Sequence, residues 1–152
     1  VTGAAIAVSA VASTEQLLAL QRECRAGYVD PSLIQYAVRV VAATREPERH
    51  GLAELKRWLT YGASPRASIH LIEGARALAF LRGRAYVLPE DVVDLVPDVL
   101  RHRLILSYEA LADGQSADQI IHSVLAQLPA PDKPLDSHVR VGSGARAPGL
   151  AA

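Results

Sequence analysis

The chain of 152 residues contains no methionine, one cysteine, one tryptophan and one phenylalanine. Without a methionine it is expected to be a processed or excised part of a longer protein. Cys24 alone forms no internal disulfide, and one cysteine with five scattered histidines gives no zinc-ligand spacing. A reducing, cytoplasmic setting follows from that cysteine usage. No apolar run reaches the roughly 18 residues of a membrane-spanning helix, and the apolar stretch Ala4 to Ala12 lacks the basic lead of a signal peptide. An excess of one charge is missing too: 16 Lys+Arg balance 16 Asp+Glu. Nucleic-acid binding by counterion release needs a basic face, so that class is disfavoured. Absent as well are a Gly-x-x-x-x-Gly-Lys-[Ser/Thr] phosphate loop, a Gly-x-Ser-x-Gly elbow and a His-Glu-x-x-His helix.

What is present is apolar and helical. Half of the residues are apolar but only 5% aromatic, so Ala, Val, Leu and Ile must build the core. Residues 1–12 read as a linker. Ser13-Thr14-Glu15-Gln16 has capping-box form, Leu17, Leu20 and Cys24 share one face of the helix it opens, and Gly27 is placed to end it. Asp30-Pro31 starts a second helix, in which Leu33, Tyr36, Ala37, Val40, Val41 and Thr44 fall on one stripe. Pro47 and Gly51 break the pattern, and Leu52 to Leu59 read as one or two helical turns burying Leu55, Trp58 and Leu59.

Ser64-Pro65 is the clearest helix start, with Ser64 as N-cap and Pro65 as first helical residue. Leu71, Ile72, Ala75, Leu78 and Ala79 then form a buried face, ended by Gly83. Pro89-Glu90-Asp91 opens the next helix, with Pro97 interrupting it, and Ser116 to Gln119 is a second capping box. The Pro, Gly, Ala and Ser-rich residues 130–152 are expected to be disordered. The expectation is an all-α fold, a compact bundle of four to five short helices over 13–129.

One charge stands out. Arg66 lies in the first turn of its helix, where the positive dipole end disfavours a cation by a few tenths of a kcal/mol. Two readings account for it: an anion beyond the helix end, or an ion pair with Glu73 on the same side of the helix.

Three strings narrow the choice: Gly62-Ala63-Ser64-Pro65-Arg66-Ala67, then Arg82-Gly83-Arg84-Ala85-Tyr86-Val87-Leu88-Pro89-Glu90-Asp91-Val92, then Val99-Leu100-Arg101-His102-Arg103-Leu104. In this order they resemble the C-terminal helical lid of MoxR-type AAA+ ATPases, over about Ser13 to Pro131. The resemblance implies that Arg66 is the sensor 2 arginine facing the γ-phosphate of ATP. Ser64 and Pro65 would start its helix, and Gly62 would let the loop approach closely. An arginine suits that task because its planar fork stays charged and matches phosphate oxygens.

The resemblance also implies ATP and Mg²⁺ in the parent protein, a preceding nucleotide-binding core and neighbouring subunits in a homo-oligomeric ring. Chaperone-like work alongside a von Willebrand factor A domain protein belongs to the same expectation. Arg82, Arg84, His102 and Arg103 are candidate contacts with the core or the next subunit; solvated cations at helix ends are the alternative. Lacking a phosphate loop, the chain is not expected to hydrolyse ATP by itself. The competing account is a free-standing helical interaction or regulatory adaptor, which explains the helices but not the ordered strings.

Overall fold

The computed structural model describes residues 9–131. The linker expected at 1–12 therefore lies mostly, and the tail expected at 130–152 almost wholly, outside the described residues. Six α-helices occupy the described part: α1 (Thr14–Ala26), α2 (Pro31–Arg45), α3 (Arg66–Leu81), α4 (Pro89–Leu100), α5 (Tyr108–Ala112) and α6 (Ala117–Gln127). Short 3₁₀ turns run over Pro47–His50, Ala53–Arg57 and Arg101–Arg103. Two short strands, β1 (Leu59–Tyr61) and β2 (Ile105–Leu106), pair antiparallel with Leu59 opposite Leu106 and Tyr61 opposite Ile105. The all-α class holds. The helix count exceeds the expected four to five because α5 is a single capped turn, with the Ser107 side chain accepting from the Ala110 N–H at 3.2 Å.

Local chemistry sets the starts and stops. Both capping boxes are present, with Ser13 and Gln16 bonded reciprocally, as are Ser116 and Gln119. Asp30 accepts from the Ser32 N–H at 2.8 Å, and Pro31 gives up no bond in that turn. Gly83, at φ 74°, ends α3 in a Schellman arrangement: its N–H donates to Phe80 and the Arg84 N–H to Ala79, each at 2.9 Å. Pro97 does not interrupt α4, which runs on to Leu100. Val96 and Leu100, both fully buried, anchor the helix on either side of the lost amide.

The core lies between α2, α3, α4 and α6. Every residue of the α2 stripe is buried, and Leu71, Val92, Val96, Leu100, Ile121 and Val124 close over it. Aromatic rings contribute little, so close packing of branched aliphatics carries the stability. Leu55 and Leu59 are buried as expected, although Leu59 belongs to a strand. Helix α1 has no buried residue: of the face shared by Leu17, Leu20 and Cys24, both leucines are exposed and Cys24 is half-buried. It is held from below, where Arg76 Nε donates to the Gly27 carbonyl at 3.1 Å. A parallel bridge between Tyr28 and Tyr86 then ties the α1–α2 link to the α3–α4 link.

Candidate functional site

Arg66 is the first residue of α3, a helix of 16 residues, and it is exposed. Among the described residues it makes no ion pair; the alternative partner, Glu73, is not joined to it. The loop before it is held tightly. Thr44, at the end of α2, accepts the Ala63 N–H at 3.0 Å through a hydroxyl that itself donates to the Val41 carbonyl at 2.7 Å. A Cβ on Gly62 would sit 2.1 Å from the Thr44 carbonyl oxygen, so only glycine fits. The close approach that Gly62 permits is thus to the backbone of α2.

Ser64 does not cap α3 with its side chain. It is exposed, and its carbonyl accepts from the Ala67 N–H at 2.9 Å. Pro65 precedes the helix with helical dihedrals, φ −54° and ψ −27°, and its carbonyl takes bonds from the N–H and hydroxyl of Ser68. The turn is fixed by proline geometry and the Thr44 anchor, so a serine cap is not required.

Beside Arg66 the surface is apolar. Ile69 follows one turn along α3, and with Ile34 and Val38 of α2 it forms an exposed face; the three are 57%, 43% and 50% exposed. Ser68 and Ile69 border both this face and the shallow cleft around Arg66. A separate groove of about 350 Å³ lies near the other end of α3, lined by Cys24, Arg76, Phe80 and Tyr86 among others. It is roughly four turns, about 20 Å, from Arg66 and is not part of the same site.

The other expected site residues are distributed differently. Arg82 and Arg84 converge on Asp91, which is fully buried. Arg84 grips both carboxylate oxygens at 2.6 Å, Arg82 adds a bond at 2.7 Å, and the Leu88 N–H adds one at 2.8 Å. Arg82 reaches Asp94 at 2.7 Å with its other nitrogen. Burial alone would push the Asp91 carboxyl up; the bonds from Arg84, the Leu88 amide and Arg82 outweigh it and hold the group below 3.8. Arg84 is only 19% exposed, so it is no solvated helix-end cation, and both forks are engaged within the chain.

His102 is exposed, whereas Arg103 turns inward and meets His70 Nδ1 at 2.8 Å. Arg103 Nε is buried with no hydrogen-bond partner. His70 sits four residues after Arg66 on the same side of α3, so the turn carrying Arg66 is braced from the segment after α4.

Sequence reasoning missed three of these features. Thr44 was legible as the one polar member of an apolar stripe. Asp91 was legible as an acid in the first turn of a proline-started helix, following Arg82 and Arg84. The bond from Trp58 Nε1 to Asp113 at 2.8 Å, with the Arg57 guanidinium 4.7 Å from the indole centre, joins residues 55 positions apart and had no local signal.

Comparisons with known proteins agree with this architecture. Residues 51–124 match the AAA lid domain family. The chaperone MoxR1 of Mycobacterium tuberculosis is 50% identical over 121 residues, covering 80% of this chain and 32% of that protein. The protein MoxR of Paracoccus denitrificans is 36% identical over 110 residues, 68% of this chain and 32% of its own length. A crystal structure from Cytophaga hutchinsonii, of a protein designated a candidate ATPase, superposes with a TM-score of 0.74 at 40% identity. It covers 77% of this chain and 36% of that one. The match thus spans about a third of each relative's length. Taken with the helical bundle and the loop that presents Arg66, these similarities show that the chain belongs to the lid domains of the MoxR-family AAA+ ATPases.

Proposed function

We propose that residues 13–129 form the lid that closes over ATP held by a nucleotide-binding core of the same polypeptide, with 1–12 as the connection, and that Arg66 faces the phosphates as sensor 2. The observation that carries this reading is Arg66 itself: an exposed guanidinium with no ion pair among the described residues, on the first turn of a 16-residue helix. The helix end disfavours a cation there, and a phosphate beyond it would turn the same local field to advantage. Gly62 and Pro65 act through position, by fixing where the helix begins.

The apolar face beside Arg66 fits the same reading. An arginine reaches a phosphate only if the phosphate-bearing surface lies within a side chain's length. Whatever carries the nucleotide would therefore cover Ile69, one turn away, together with Ile34 and Val38. Among the described residues no group of three or more His, Cys, Asp or Glu side chains converges. In this proposal Mg²⁺ is held by the core together with the phosphates. The lid's part is to orient the phosphates, exclude water from the closed cleft and pass its position to neighbouring subunits of a ring by rigid-body rotation. Remodelling of protein complexes is the expected output, in keeping with a relative named a chaperone.

The test is Arg66→Ala in a protein that carries this chain together with its core. ATP turnover is expected to fall by about 10–10²-fold, less than the loss of a direct arginine finger. The melting temperature should not fall, because the side chain has no partner to lose and the helix end disfavours its charge. Unchanged turnover in the folded variant would remove Arg66 from the mechanism.

A further inference from the structure

Two side chains at the end of α2 hold the loop that delivers Arg66: the Thr44 hydroxyl takes the Ala63 N–H at 3.0 Å, and Arg45 Nη1 donates to the Ala63 carbonyl at 3.4 Å. Thr44 is 1% exposed and lies on the α2 stripe among Val40, Val41 and Ala43, a place where valine would pack equally well. A hydroxyl there has to be satisfied, and one that bonds back into its own helix slightly destabilises it. Thr44 Oγ1 donates to the Val41 carbonyl at 2.7 Å, and its acceptor side takes the Ala63 N–H at 3.0 Å. That is its bond outside α2, and it lands three residues before Arg66. Ala63 and Ala67 are both 0% exposed, Gly62 rests on the Thr44 carbonyl, and Pro65 has little freedom in φ. The start of α3 is therefore tied to the end of α2, and the Thr44 hydroxyl is the buried hydrogen bond of that tie.

We propose that Thr44 is a positioning residue for Arg66: its hydroxyl, by holding the Ala63 amide, sets where the guanidinium meets the nucleotide. This rests on the reading of Arg66 as the phosphate-facing arginine. Thr44 touches no substrate and acts only through the loop. Valine at this site keeps the shape and removes the hydroxyl, whereas serine keeps the hydroxyl.

The experiment measures kcat for ATP, with melting temperatures, in the protein that carries both this chain and its core, for Thr44→Val, Thr44→Ser, Arg66→Ala and the Thr44→Val/Arg66→Ala double variant. Misplacement of a phosphate-facing group by about 1 Å can cost up to roughly 10²-fold. Thr44→Val is expected to lower kcat by about 10-fold or more, and Thr44→Ser to restore most of it. The double variant should be no slower than Arg66→Ala, since a residue that works through Arg66 has nothing left to lose. A folded Thr44→Val with wild-type kcat overturns the proposal, as does a double variant in which the two losses multiply. If Thr44→Val does not fold at the assay temperature, Thr44→Ala takes its place in the same comparison. Unchanged kcat in Arg66→Ala ends the underlying sensor reading. A loss in Arg66→Ala without one in Thr44→Val ends only the proposal about Thr44.

Discussion

Asp91→Asn is the sharpest probe of what holds the α3–α4 hairpin. The carboxylate is fully buried and takes four bonds: two from Arg84 at 2.6 Å, one from Arg82 at 2.7 Å and one from the Leu88 N–H at 2.8 Å. Each oxygen accepts two. Asparagine has the same shape, but its oxygen keeps only one of those pairs, and its NH₂ points a donor at donors. Removing one partner of a buried charge pair costs about 3–5 kcal/mol. Arg82 is 39% exposed and can return to water, so the lower end, about 3 kcal/mol, is expected. For a domain of this size that is roughly a 10 °C fall in melting temperature.

The pH dependence gives an independent check. The folded carboxyl lies below its ordinary value of 3.8, so its contribution is complete above that value and is lost as pH falls through the folded pKa. Thermal denaturation of wild type and Asp91→Asn, followed by circular dichroism from about pH 7 to about pH 3, should show a constant gap that starts to narrow below about pH 4. A gap under about 0.5 kcal/mol near neutral pH, the size of an ordinary surface substitution, would refute the reasoning. So would a gap that stays the same as the carboxyl is titrated.

Two glycines make contrasting predictions. Gly62→Ala places a Cβ 2.1 Å from the Thr44 carbonyl oxygen, so the loop or α2 must shift. Stability should fall by at least about 1–3 kcal/mol, read by urea unfolding, and Arg66-dependent ATP turnover should fall with it. At Gly83 nothing lies within 4 Å of a new Cβ, yet φ is 74°. Gly83→Ala should therefore cost about 1–2 kcal/mol through left-handed backbone strain alone, and a neutral result in the same assay would contradict that assignment.

Much of this protein is determined locally. The capping boxes at Ser13 and Ser116, the Asp30-Pro31 start and the glycine stop at Gly83 need only neighbours two to five residues away, so a linear reading finds them. The α2 stripe was legible because helical periodicity alone puts its members on one face. The strings around Arg66, Arg84 and His102 carried the family resemblance. Long-range partners were not legible. Whether the apolar face of α1 is buried depends on what packs beside it, and in the described residues Leu17 and Leu20 stay exposed. Pro97 looked like a break, but buried Val96 and Leu100 carry α4 through it. Pairing of β1 with β2 joins residues more than 40 positions apart.

For the candidate site the division is the same. Arg66 was named from the sequence because its residue type and place in a helix start are local properties. That Arg84 is engaged on Asp91, that Arg103 turns to His70, and that Thr44 rather than Ser64 holds the loop are matters of which side chains meet in space. Hydrogen bonds to buried groups are satisfied by whatever the packed helices bring within about 3 Å, and only the tertiary structure decides that.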